Sequence, residues 1–265
     1  PGHEFVARVV EADNPALAGK RVAGEINLAC NDCDWCRRGL GRHCPNRTVL
    51  GIVNRPGAFA EFFTLPERNL HVLRDHVPSE RAVFTEPLAA ACEILDQAAI
   101  PAGATVAVLG DGKLGLLAAL ALNAHGFRVH QFGRHETKLR IAAGAGVRTR
   151  VISEALPVAE YDWVVEATGS TGGLRAAAAM TRPRGTVILK STVHGAVSID
   201  MAPIIVNEIT LVGSRCGRFE SALPLLERAR IPVELMIAAR YPLARAPEAF
   251  AHAARRGTLK VLLEG

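Results

Sequence analysis

No stretch of the 265-residue sequence reaches the eighteen or so apolar residues that a membrane helix needs. The longest apolar run, residues 114–122, is too short, and no membrane partner is expected. No export signal is visible, and a disulfide framework does not suit a hydrophobic chain of this length without one. The six cysteines are therefore expected to be reduced thiols of a cytoplasmic protein. A dense Lys/Arg block is also lacking: the 31 basic residues are scattered among 26 acidic ones, for a net charge of +5. That distribution reads as a solvated Arg-rich surface, with some cations left to meet cofactor phosphates. Internal repeats and low-complexity tracts are lacking too, apart from Ala-rich helix faces. There is no initial Met. The chain starts at Pro1 and runs straight into a strand-like stretch, residues 5–10, so further residues are expected upstream.

Hydrophobic residues make up 49% of the chain, enough for a sizeable core in one large or two ordinary domains. Residues 1–95 are rich in strand and turn signals, and 57–63 show the partial alternation of a sheet strand. From 96 to 217 strands alternate with helices. Strands are expected at 105–109, 128–132, 150–152, 163–167, 185–190 and 209–213, with helices at 113–124, 136–143 and 172–180. Strands joined by helical crossovers imply an α/β fold with a doubly wound parallel sheet. The tail, 218–265, carries helical segments at 221–229 and 247–255 and a strand at 259–263.

Four cysteines are clustered: Cys30, Cys33, Cys36 and Cys44 follow a C-x2-C-x2-C-x7-C pattern within a lobe spanning 27–48. Four thiolates close the tetrahedral shell of Zn2+ and leave no place for water or substrate, so this site is expected to be structural. A bound ion there replaces a core that so short a loop cannot build. His43 is read as a neighbour of the cluster rather than a ligand. Cys92 is expected in a buried helix and Cys216 near a domain junction, both inert.

Gly110-Asp111-Gly112-Lys113-Leu114-Gly115 forms a G-x-G-x-x-G run that follows one expected strand and opens a helix. Gly110 permits the tight turn, Gly112 lets backbone approach a pyrophosphate, and Gly115 allows close helix–strand packing. The helix N-terminus adds N–H groups and a positive dipole end. An acidic residue at the end of the second strand would bind a ribose 2′-hydroxyl. Here stand Gly133, Arg134 and His135, with Lys138 a turn further. Arg134 can pair with a 2′-phosphate, which points to NADP(H) over NAD(H).

Two short motifs remain, Gly2-His3-Glu4 and Glu86-Pro87-Leu88. On a straight strand, His3 and Glu4 would face opposite sides, and only a bend would bring both to one metal. In order, Gly-His-Glu, the cysteine lobe, Gly-Ala-Phe-Ala-Glu-Phe at 57–62, Glu-Pro-Leu and G-x-G-x-x-G resemble the zinc-containing medium-chain dehydrogenases over essentially the whole chain. That family includes alcohol, sorbitol, threonine and glucose dehydrogenases.

The resemblance implies a GroES-like, mainly β catalytic domain from 1–95 and 218–265, split by a Rossmann domain at 96–217. It implies a second, catalytic Zn2+ with His3 as ligand, Glu4 as the adjacent acid, and Glu86 as a ligand directly or through water. A cysteine occupies the Glu86 position in alcohol dehydrogenases, so the carboxylate tilts the reading toward polyols. Lys260 takes the place of a basic residue offered to the cofactor pyrophosphate. Thr168, Gly169 and Ser191 stand at strand ends that border the nicotinamide ribose and ring. Family members carry a further segment before Gly-His-Glu, with a cysteine zinc ligand and a Ser or Thr hydroxyl that starts a proton relay. A homodimer or homotetramer acting on a small alcohol, polyol or carbonyl is implied. The alternatives are a zinc-free quinone or enoyl reductase, against which the cysteine lobe and Glu86 argue, and a non-catalytic NADP(H)-binding or scaffold protein. A nucleic-acid module would need basic and aromatic residues interleaved in the lobe, and they are lacking there.

Overall fold

The computed structural model describes residues 1–152, 155–193 and 196–265. The chain forms two compact units. The first comprises Pro1–Glu86, Arg218–Arg228 and Ile237–Gly265; the second comprises Pro87–Gly217 and Ala229–Met236. The second unit begins at Pro87, and within it Lys190, just past the fifth strand of the sheet, donates to the Ala90 carbonyl.

In the first unit, β1 (Ala7–Arg8), β2 (Arg21–Gly24), β3 (Asn27–Leu28), β4 (Thr48–Val49) and β5 (Leu70–Val72) are short. β1, β2 and β5 make an antiparallel sheet, and β3 pairs with β4 across the base of the cysteine lobe. The lobe holds a single helical turn, α1 (Asp34–Arg37). Two helices follow β5: α2 (Ser79–Ala82) and α3 (Thr85–Gln97).

The second unit continues as β6 (Thr105–Leu109), α4 (Lys113–Ala124), β7 (Arg128–Gly133), α5 (Glu136–Gly144), β8 (Arg148–Val151), β9 (Tyr161–Glu166), α6 (Gly173–Met180), β10 (Thr181–Leu189), α7 (Ala202–Val206) and β11 (Thr210–Gly213). Its sheet is parallel throughout, in the order β11-β10-β9-β6-β7-β8. β6 lies at the centre, and Val106, Ala107 and Val108 are fully buried. Central parallel strands are covered on both faces, which is why β6 reads as a continuous apolar run. α4 is buried along nearly its whole length, from Gly115 to Leu122, as expected of a helix that is apolar all round.

The C-terminal part adds α8 (Phe219–Glu227), β12 (Ile237–Pro242), α9 (Ala246–Ala253) and β13 (Lys260–Glu264). β12 and β13 pair in parallel. β12 has weak sequence signals, because Arg240 and Pro242 interrupt its apolar character and its burial only alternates between intermediate and exposed.

The expected strand at 57–63 does not form. Ala58 and Phe59 donate instead to the carbonyls of Gly2 and Pro1, at 2.9 and 3.1 Å. Two aromatics of that segment serve packing: Phe59 meets Phe250 and Phe63 meets Phe5, both edge to face, while Phe62 is exposed. The expected strand at 5–10 shortens to β1.

At the N-terminal ends of β6, β7 and β9 lies an open cavity lined in part by Arg128, His130, Glu160, Tyr161 and Trp163. His130 Nδ1 lies 2.9 Å from the Tyr161 hydroxyl. Burial, with Arg148 nearby, holds the His130 pKa below its ordinary value. In the unfolded chain this imidazole protonates near pH ~6.5, and in the folded chain only at lower pH. Its contribution is therefore fully present above about pH 6.5 and is lost as pH falls through the folded pKa. Urea midpoints of His130→Gln are expected to fall less between neutral pH and pH ~5 than those of the parent, because the unfolded state no longer gains that proton.

Candidate functional site

The cysteine lobe folds around its four sulfurs. Cys33 precedes the single turn of α1, Cys36 lies within it, and Cys44 follows a 3-10 turn at Gly41–His43. The Sγ–Sγ separations are 3.9 Å (Cys30–Cys36), 3.5 Å (Cys33–Cys36), 3.7 Å (Cys33–Cys44) and 3.4 Å (Cys30–Cys44). A tetrahedron with ~2.3 Å Zn–S bonds has edges of about 3.8 Å, so the cluster fits Zn2+ without rearrangement. The N–H groups of Asp32 and Cys33, ahead of the neighbouring thiols, bring the Cys30 pKa down to about 6. A thiol held that low enters a metal shell as thiolate at neutral pH.

The second cluster lies in the first unit. Gly2 has φ +92°, a conformation that side chains rarely adopt, and a Cβ there would lie 2.5 Å from the Phe59 ring. Gly57 packs so tightly on this turn that a Cβ would lie 2.2 Å from the Pro1 carbonyl, and one on Gly51 would lie 2.3 Å from that of Gly2. The turn precedes β1, so His3 and Glu4 are not on a strand. Their side chains converge with Glu86, and one ligand atom from each of the three lies within 4.8 Å of the others. Glu86 stands in the first turn of α3, where the helix dipole favours a carboxylate. One imidazole and two carboxylates are a donor set that Zn2+ accepts.

Lys260, on β13, brings its ammonium onto Glu4 Oε2 and lies 4.8 Å from the Phe84 ring centroid. The residue that the resemblance offers to a pyrophosphate is thus 7% exposed and paired beside His3 and Glu86. Its role next to Glu4 had no signal in its own segment, since the partner lies 256 positions away.

In the second unit, Gly110 has φ +128°, and a Cβ there would lie 2.3 Å from the Ala167 carbonyl. A Cβ on Gly115 would lie 2.6 Å from the Gly110 carbonyl. Around Gly112, the N-cap of α4, a Cβ would meet open space. These are the turn, packing and approach functions that a pyrophosphate cradle requires. Lys113 and Leu114 open α4.

Asp111 points toward the second strand. Its Oδ2 accepts from the N–H groups of Arg134 and His135, at 2.7 and 2.6 Å, and lies 3.0 Å from His135 Nδ1. Gly133 leaves room for it, since a Cβ would lie 2.5 Å from Asp111 Cβ. Asp111 therefore fixes the turn that carries the exposed Arg134 and the half-buried Lys138. Gln131, fully buried on β7, donates from Nε2 to the Gly110 carbonyl at 2.9 Å. Gln131 carries no motif, because nothing in the mixed sequence of β7 sets one polar residue apart from the next.

Beyond β9, buried Glu166 accepts from the Thr168 N–H and hydroxyl at 2.8 and 2.6 Å, and the Gly169 N–H donates to Ser191 Oγ at 2.8 Å. Thr168, Gly169 and Ser191 thus form one hydrogen-bonded rim. Lys190 turns the other way. Only 6% exposed, it donates to the Ala90 and Arg215 carbonyls and to Ser214 Oγ at 2.6, 2.9 and 3.0 Å. Lys190→Met would strand those three acceptors and is expected to lower unfolding stability by about 3 kcal/mol, read from urea denaturation. Cys92 is buried on α3, and burial pushes its thiol up to about 12.

Comparison with known families matches both parts of this arrangement. The alcohol dehydrogenase GroES-like domain covers residues 1–75, and the zinc-binding dehydrogenase domain covers residues 114–229. The chain belongs to the zinc-containing alcohol dehydrogenase family of medium-chain dehydrogenases. D-altritol 5-dehydrogenase of Agrobacterium fabrum is 31% identical over 258 residues, spanning 92% of this chain and 76% of that protein. D-arabitol-phosphate dehydrogenase of Enterococcus avium is 29% identical, with 99% and 80% spanned. Among solved structures, a Sinorhizobium meliloti 1021 protein assigned as a zinc-binding dehydrogenase and bound to NADP superposes with a TM-score of 0.90. It is 29% identical, with 99% of this chain and 82% of that one covered. The fold is accordingly Rossmann-type with a GroES-like domain, and the chain is an enzyme of the alcohol and polyol dehydrogenase class.

Proposed function

We propose that this enzyme moves a hydride between a polyol and NADP(H), with His3 and Glu86 as zinc ligands and the four-cysteine lobe as a separate structural zinc site. The observation that carries the reading is the convergence of His3, Glu4 and Glu86 at the N-terminus of α3, beside the Lys260 ammonium. Bound zinc supplies a Lewis acid that lowers an alcohol's pKa, and bound nicotinamide supplies the hydride acceptor. The chain's residues do the rest. His3 offers an imidazole nitrogen and Glu86 a carboxylate to the metal. Glu4, paired with the Lys260 ammonium, is the adjacent acid that approaches the metal or supports its ligands. Gly112 and the α4 N-terminus receive the pyrophosphate. Glu166 holds the Thr168–Gly169 turn against Ser191, as a rigid floor for the nicotinamide ribose.

NADP(H) is favoured by Arg134, which is exposed beside N–H groups already ordered by Asp111. The named relatives that act on polyols support that substrate class. By likeness to the family, the working form is a homodimer or homotetramer in the cytoplasm.

The test is NADP+- and NAD+-linked oxidation of a polyol panel, followed as absorbance of the reduced cofactor. Activity with polyols and a higher kcat/KM for NADP+ is expected; turnover of quinones or enoyl substrates instead would overturn the reading. Arg134→Ala is expected to raise KM for NADP+ by about 10- to 100-fold, the worth of a charge-assisted hydrogen bond, and to leave KM for NAD+ nearly unchanged. Equal effects on both cofactors would assign Arg134 to the surface.

A further inference from the structure

We propose that Glu25, His71 and Glu220 form a third divalent-metal site, which clips helix α8 onto the sheet of the first unit. Ala23 on β2 is paired with His71 on β5. Glu25, two residues beyond Ala23, therefore lies on the same face of the sheet as His71. His71 Nε2 is 3.5 Å from Glu25 Oε1. α8 closes over this face. Its first residue, Phe219, stacks at 5.2 Å on the His71 ring and donates its N–H to Glu25 Oε1 at 3.3 Å. The next residue, Glu220, brings a second carboxylate, and one ligand atom from each of the three lies within 4.8 Å of the others.

The geometry suits a small cation. Tetrahedral zinc with ~2.0–2.1 Å bonds to nitrogen and oxygen sets its ligand atoms about 3.3 Å apart, close to the His71–Glu25 distance. Glu220 is exposed and has the freedom to close the remaining gap by side-chain rotation. Glu25 and His71 are half-buried and fixed by the sheet, so two of the three donors are already ordered. One imidazole and two carboxylates suit Zn2+, Co2+, Ni2+ or Mn2+, whereas Mg2+ and Ca2+ take oxygen ligands alone. Arg42 places positive potential at Glu25 and limits the affinity. The site is built from different residues than the cysteine lobe and the His3 cluster. An ion there would tie position 25 to position 220, beside the Phe219 N–H bond to Glu25 and the Phe219–His71 ring contact.

The test is equilibrium dialysis of the full chain against tens of micromolar Zn2+ near neutral pH, with zinc counted per chain. His71→Gln and Glu220→Gln are each expected to hold one zinc fewer than the parent. Added Zn2+ is expected to raise the melting temperature of the parent more than that of either variant. Equal zinc counts in all three proteins would overturn the proposal. Glu220 is exposed, so its variant keeps the test decisive if His71→Gln folds poorly. Because the count is a difference at fixed residues, it is independent of polyol turnover and of the His3 and Glu86 assignment.

Discussion

His3→Ala is expected to leave a folded, cofactor-binding protein whose turnover has fallen about a thousandfold or more. The imidazole is one of three donors that converge beside α3, and the other two are carboxylates. Losing it removes a neutral nitrogen ligand and leaves Glu86 and Glu4, with Lys260 already on Glu4. Such a pair holds zinc weakly and in a different geometry. Lewis-acid stabilisation is worth several kcal/mol at the transition state, and each ~1.4 kcal/mol is a factor of ten in rate. Steady-state kinetics with NADP+ measures the loss. Fluorescence titration with NADPH checks that binding survives, since the glycine-rich loop belongs to the other unit. Retained turnover in this variant would remove His3 from the mechanism.

Cys44→Ser is expected to release the lobe's zinc and to lower the melting temperature by about 10 °C. For a chain of this size that corresponds to roughly 3–4 kcal/mol. Cys44 is the fully buried sulfur of the four and lies 3.7 and 3.4 Å from two of the others. The lobe has little else to hold it: α1 contains no buried residue, and Trp35 is 45% exposed. Metal binding is therefore most of its folding free energy. Differential scanning calorimetry with a zinc count tests both halves. A variant that keeps its zinc and its melting temperature would show that the lobe stands on its protein contacts.

The parallel sheet was legible because β6 is an apolar run, β7 and β9 each hold apolar residues between turn signals, and α4 begins and ends where its glycines stand. The cysteine spacing pointed to one cluster, and the fold brings those four sulfurs together. β12 was not legible, because its sidedness comes from pairing with β13 and not from a run of apolar residues. The segment at 57–63 was misread for the opposite reason: its alternation is real, but its hydrogen bonds go to Pro1 and Gly2 rather than into a ladder. His3, Glu4 and Glu86 were singled out through the order of motifs, while their convergence depends on the turn at Gly2. Lys260 beside Glu4, Gln131 beneath Gly110 and Glu166 behind Thr168 were invisible to pattern. Each is a polar residue whose meaning is its partner.

The turn that aims His3 is a joint of bare main chain. Gly57 seats on the Pro1 carbonyl and Gly51 on that of Gly2, with no Cβ at either contact. Such a joint is blind to polarity but sensitive to bulk. A single methyl group some fifty positions along the chain from His3 would press on the turn that aims that imidazole without removing any donor atom. Mutational tolerance here should therefore follow volume and, at Gly2 and Gly51, the positive φ that side chains rarely adopt.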